Sequence, residues 1–203
     1  MGRRKRTAKV IPKTVLFLVL LLPLGGLVWK ALQGDLGANP IEALNRSLGD
    51  AALHILLLSL AVTPLRKITG WNVVQRYRRM IGLFAFFYVF LHLSSYIGLD
   101  HFFDWSAIGA EIIKRRYITL GMVGAVILLV LALTSSRGAI RRLGGQRWRR
   151  LHQMVYLAAV LGVVHHAMMV KADLRAPLVH AGILALLLGY RLYDRFATRP
   201  ARR

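Results

Sequence analysis

The sequence contains no cysteine, which excludes a disulfide framework, a thiolate zinc site, an iron–sulfur cluster and a cysteine nucleophile. Acidic residues are scarce as well: 8 Asp and Glu stand against 29 Lys and Arg, for a formal net charge of +21. Also missing is any long polar stretch, repeat or low-complexity segment that could form a soluble domain, so residues 1–203 read as a single domain. What is abundant is apolar. With 56% hydrophobic residues and a mean hydropathy of +0.51, a soluble fold of this size could not hide its apolar surface. A nucleic-acid partner is therefore excluded despite a pI near 11.6, and the partner the composition implies is membrane lipid.

A bilayer core needs about 20 apolar residues per helix. Six runs qualify, at 14–29, 48–65, 80–99, 117–136, 151–170 and 176–190. The fold class expected is an all-α integral membrane protein, a six-transmembrane helix bundle. Arg3-Arg4-Lys5-Arg6 before an apolar run has the outline of a secretory leader. No small-residue cleavage site follows, and Pro23, Trp29 and Lys30 interrupt, so the run is read as the first helix.

The charges test this count. With the N-terminus in the cytoplasm, 22 of the 29 basic residues fall in inner segments, and seven of the eight acids fall outside. The outer side then nets zero, and the positive-inside rule is satisfied with both N- and C-termini cytoplasmic. A count of five or seven helices would weaken that asymmetry. The spans are read as free of acidic residues, which leaves a carboxylate relay without parts.

Histidines supply the unusual chemistry at membrane depth: His92, His152, His165, His166 and His180 lie in runs three, five and six, and His54 near the outer end of run two. Neutral imidazole suits iron. His92 is 13 residues beyond Arg79 and His165 is 15 beyond Arg150, so each lies about 20 Å from its basic inner end on parallel helices. Two imidazoles at one depth could clamp a single haem b as axial ligands, with Gly162 letting a macrocycle approach. His152 stands 13 residues before His165, which puts it about 220° around an ideal helix. Either that helix is kinked or the two histidines serve different pockets. Opposite His152 the sequence offers Arg78 or Arg79, which could meet a haem propionate or a flavin phosphate. His54 and His180 read equally as interhelical hydrogen-bonding groups, and His166 more readily so than as a ligand. Trp71, Tyr77, Tyr96, Trp105, Tyr117 and Trp148 read as interfacial belts.

The segments Arg78-Arg79-Met80-Ile81-Gly82-Leu83, Leu91-His92-Leu93-Ser94-Ser95-Tyr96, Arg116-Tyr117-Ile118-Thr119-Leu120-Gly121 and Ala132-Leu133-Thr134-Ser135 go further. So does the block from Leu143 through Trp148, Leu151, His152 and Tyr156 to Leu157, with His165 beyond it. Together they resemble the haem-binding membrane subunits of bacterial periplasmic methionine sulfoxide reductase systems, part of the ferric-reductase-like transmembrane superfamily. The resemblance implies an inner-membrane electron-transfer subunit with haem b and FMN. Its donor would be a quinol or a cytosolic flavin reductase. Its acceptor would be a periplasmic molybdenum-cofactor methionine sulfoxide reductase, which carries out the catalysis. The family's haem ligands fall on His92, His152 and His165; the resemblance does not place the FMN. The superfamily's second histidine pair is interrupted at the Arg78/Arg79 level.

Only 13 residues follow Tyr190, and no G-x-G-x-x-G or P-loop is present, so the reading expects electrons from a lipid-soluble donor or a separate protein. Two other readings remain at this point: a stand-alone transmembrane ferric or oxygen reductase fed by a separate dehydrogenase, and a haem-free transporter or scaffold.

Overall fold

The structure is a computed structural model that describes residues 11–170 and 173–197. The Arg3–Arg6 cluster, Lys171, Arg199, Arg202 and Arg203, which contribute to the charge topology, lie outside the described residues. Among the described residues six helices are long and apolar enough to cross a membrane: Lys13–Leu32, Pro40–Thr69, Arg78–Asp100, Arg116–Leu133, Gly145–Met169 and Arg175–Ala197. The expected six-helix, all-α architecture is present.

The spans differ from the apolar runs at their ends, and each difference has a local cause. Helix α1 is Lys13–Leu32 and α2 is Pro40–Thr69. α2 starts well before residue 48 because Asn39 caps it, its side chain accepting from the Glu42 N–H at 3.3 Å, with Pro40 in the first turn. α3, Arg78–Ser95, continues as a π turn over Tyr96–Asp100. Two short helices absent from the hydropathy pattern follow the polar caps Asp104 and Ser136: α4, Trp105–Lys114, and α6, Arg137–Leu143. Between them runs α5, Arg116–Leu133, which Thr134 ends by turning its hydroxyl back onto the Val130 carbonyl. The fifth run is split into α7, Gly145–His152, and α8, Met154–Met169, with the break at Gln153. α9, Arg175–Ala197, outlasts its apolar run by two turns.

Side-chain ties fix the helix directions. Thr134 with His152 and Tyr117 with His165 make α5 antiparallel to α7–α8. His54 with His180 and Leu60 with Arg191 make α2 parallel to α9. Tyr88 bridges to α1 beside Pro23, its hydroxyl accepting from the Leu24 N–H and donating to the Leu20 carbonyl at 2.8 Å. The proline has no N–H for the helix ladder, and a buried tyrosine reinforces the weakened turn. Pro64 acts similarly in α2. The Leu60 carbonyl, four residues earlier, cannot receive a proline N–H and is instead met by Arg191 Nη2 at 2.7 Å.

The core lies between α2, α3, α5 and α8, where Ala85, Tyr88 and Ala159 are 0% exposed. The outside is apolar as well: Leu22 is 66% and Leu186 76% exposed, a surface suited to hydrocarbon rather than water. One end of the bundle is rich in arginine, where Lys67 pairs with Asp194. The other carries most of the acids.

Candidate functional site

His92 on α3 and His165 on α8 are brought together as their matched depth predicts. Their ring centres are 6.3 Å apart and their planes 76° apart. Each ring is fixed from behind. His92 Nδ1 lies 2.9 Å from the Asn45 carbonyl on α2, and His165 Nδ1 lies 2.7 Å from the Tyr117 carbonyl on α5. A carbonyl only accepts, so Nδ1 carries the proton in both rings and each Nε2 keeps its lone pair. Among the described residues neither Nε2 has a hydrogen-bond partner. Metal-ligating histidines show this pattern, the second nitrogen holding tautomer and orientation.

Two glycines make room for the rings. A Cβ at Gly121 would stand 2.8 Å from His165 Nδ1, and one at Gly49 would stand 3.3 Å from His92 Nδ1. Gly162 lines the same space, as its place one turn before His165 suggests. The two rings face a cavity of about 560 Å³ that runs from the acidic end of the bundle to the level of Leu56, Leu128 and Ala158. That volume suits a cofactor-sized ligand. The ring separation also fits iron between them: two metal–nitrogen bonds of about 2 Å, plus about 1 Å from each nitrogen to its ring centre, give about 6 Å.

Arg46 and Arg115 also line this cavity. The sequence reading counts them only as loop charges. Arg46 is paired with Glu42 and Arg115 with Glu111 at 2.9 Å, so both guanidiniums are held at the cavity's acidic end. The spans are not free of acidic residues as expected: Asp50 lies inside α2, lines the cavity, and sits 3.5 Å from His166 Nδ1.

His152 is elsewhere. It ends α7, stacks on Trp148 at 4.1 Å, and places Nε2 3.1 Å from Thr134 Oγ1. The Thr134 hydroxyl already donates to the Val130 carbonyl, so His152 Nε2 is the donor in this pair. Both halves of the sequence alternative hold: the helix breaks at Gln153, and His152 does not line the cavity of the other two. Its surroundings are cationic, as the register of Arg78 suggests. Half-buried Arg78 is within electrostatic range of both His152 and Arg191, whereas Arg79 is exposed. Arg191 is the residue sequence reading overlooks. Its guanidinium donates to the Tyr156 hydroxyl and the Leu60 carbonyl and lies 5.0 Å from the Tyr156 ring centre, while its Nε is buried without a partner. Pro64 is the signal that could have found it, because a mid-span proline frees a carbonyl.

Of the expected aromatic belts, Trp105 is 66% exposed, as a belt residue would be. Tyr77 is instead buried, Tyr96 donates to Glu111, and Trp148 serves the His152 pocket, its Nε1 donating to the Thr134 carbonyl. His54 and His180 do bond between helices, at 2.9 Å.

A bundle of membrane-length helices that presents two oriented imidazoles to one cavity defines a class. The family described as ferric reductase like transmembrane component matches residues 48–163. Among relatives, a Rhodospirillum rubrum protein named protein-methionine-sulfoxide reductase heme-binding subunit MsrQ is 60% identical over 183 residues, covering 89% of this chain and 86% of the relative. Proteins of the same name from Caulobacter vibrioides and Azospira oryzae are 45% identical over 195 residues (95% of this chain, 93% of the relative) and 50% identical over 184 (90% and 79%). The chain belongs to the ferric-reductase-like transmembrane family, in the branch these MsrQ subunits form. With six spans, it is a multi-pass protein of the bacterial inner membrane.

Proposed function

We propose that this protein is an electron-transfer subunit holding haem b between His92 and His165, with both termini in the cytoplasm. The observation that carries the reading is the pair of carbonyl-anchored imidazoles, both with free Nε2 lone pairs, across one cavity. A haem supplies reversible one-electron storage there. The rest is the work of this chain. Asn45 and Tyr117 hold the rings in one tautomer, Gly49 and Gly121 let them lie against α2 and α5, and Leu53, Leu56 and Leu128 keep the deep end of the cavity dry. Arg46 and Arg115 stand where haem carboxylates would meet the aqueous edge.

The partner that fits the relatives' name is a methionine sulfoxide reductase. We take it to be a periplasmic molybdenum-cofactor enzyme docking at the acidic end, where the charges nearly balance. A quinol or a cytosolic flavin reductase would supply the electrons. His152 would serve as a further haem ligand only by giving up its bond to Thr134. FMN enters through the family resemblance, and Arg78, beside His152 and Arg191, is the residue placed to meet its phosphate or a propionate.

The test is an absorbance spectrum. Haem-supplemented protein should show low-spin b-type bands, and His92→Ala and His165→Ala should each remove them. An unchanged spectrum in either variant sinks the pairing.

A further inference from the structure

A second group of imidazoles stands apart from the cavity pair. His54 on α2 and His180 on α9 approach Nε2 to Nε2 at 2.9 Å, and the His166 ring lies 5.1 Å from that of His180. Among the described residues no group of three or more His, Cys, Asp or Glu side chains is placed to hold a metal ion.

Proton positions can be worked out from the neighbours. His180 is buried at 4% exposure, and its Nδ1 has no regular hydrogen bond. The polar atom facing it is the Ala176 carbonyl, one turn earlier on α9. A bare nitrogen lone pair against a carbonyl oxygen would be repulsive, so His180 Nδ1 carries the proton and its Nε2 is an acceptor. His54 must therefore donate from Nε2, which leaves His54 Nδ1 as a lone pair.

The exposed His54 ring is bordered by an apolar surface. His54 is exposed, and the residues four and eleven positions on, Leu58 and Leu65, are 47% and 42% exposed on the same face of α2. On α9, Val179 and Ile183 flank His180 at 59% and 40% exposure. The imidazole thus sits in a lipid-facing stripe, about one turn below Asp50. In hydrocarbon no water is available to satisfy an acceptor. Its partner has to be a hydrogen-bond donor that travels in the membrane, and the commonest donor on an apolar molecule is a hydroxyl.

We propose that His54 Nδ1 docks the hydroxyl of a lipid-soluble hydroquinone, and that the site discriminates for this reduced form. The oxidised quinone offers carbonyl oxygens only and cannot donate to a lone pair. Val179, Leu58 and Ile183 provide the apolar flanks for its ring. The location suits an electron donor, because His166 touches His180 and directly follows His165 in α8. Choosing a hydroquinone over another lipid alcohol rests on the electron-transfer reading above; the acceptor site itself does not.

The test is photolabelling of the full protein in phosphatidylcholine vesicles with an isoprenoid hydroquinone carrying a diazirine on its tail, under anaerobic conditions, followed by peptide mapping. Label should fall on the peptides around 54 and 180. Unlabelled hydroquinone should compete roughly five- to tenfold better than the matching quinone, the worth of one hydrogen bond. His54→Phe should lose the label, and His54→Asn, whose side-chain oxygen also accepts, should retain it. Equal competition by the quinone, labelling of His54→Phe at the wild-type level, or equal competition by a long-chain alcohol would each overturn the proposal. Wild-type protein that labels in this way yet binds no haem would refute the electron-transfer reading and leave the hydroxyl-accepting site standing.

Discussion

Replacing Gly121 by alanine should loosen His165 more than a methyl at any other described glycine. The added Cβ would lie 2.8 Å from Nδ1 and 2.9 Å from Cε1 of His165, against backbone-anchored geometry on both helices. Ordinary contact between such atoms is about 3.5 Å, so the ring must retreat by roughly half an ångström or more. That movement takes Nδ1 away from the Tyr117 carbonyl, now 2.7 Å distant. Losing the bond costs about 1 kcal/mol and an off-rotamer ring about another 1 kcal/mol, or roughly 30-fold in haem affinity. This agrees with the 10- to 100-fold typical of losing a group that orients a metal ligand. Gly49→Ala meets His92 at 3.3 Å and needs a shift of only a few tenths of an ångström, so its effect should be several-fold smaller. Gly82→Ala meets nothing within 4 Å and should be neutral or slightly stabilising through helix propensity. Titrating haem into the apoprotein and following the Soret band gives the three affinities, with thermal unfolding as the fold control. Wild-type affinity for Gly121→Ala, or equal losses for Gly82→Ala and Gly121→Ala, would refute the reasoning.

Tyr88→Phe removes the hydroxyl beside Pro23 and leaves Leu20 and Leu24 without their partner; thermal unfolding in detergent should report a loss of about 1–3 kcal/mol. Arg191→Met leaves the Leu60 carbonyl unpaired at a similar cost, and Pro64→Ala in the same chain should recover most of it by restoring the helix N–H, which a double-mutant cycle measures. His152→Ala, which breaks the Thr134 bond and the Trp148 stack, should leave the haem bands proposed for His92 and His165 unshifted; loss of the whole spectrum would show that the two sites are one.

The same contrast between local and distant information runs through the whole molecule. The number of spans is legible in the sequence because a bilayer fixes how many consecutive apolar residues each needs. The shared depth of His92 and His165 is legible because the rise per residue is constant and the basic residues mark a common starting level. The ends of spans are less so: Asn39 and Pro40 start α2 by capping chemistry that hydropathy ignores, and Pro64 carries α9's arginine inward.

What tertiary structure alone decides is which backbone atom stands behind each imidazole. The carbonyls of Asn45 and Tyr117 are 47 and 48 residues away from the histidines they orient, and His54 meets His180 across 126 residues. Sequence placed the histidines in the membrane and two of them at one height. Only packing could fix their protons, leaving His92 and His165 with free Nε2 lone pairs on one cavity and making His152 a donor to Thr134, because a tautomer is set by the neighbour and here the neighbour comes from another helix.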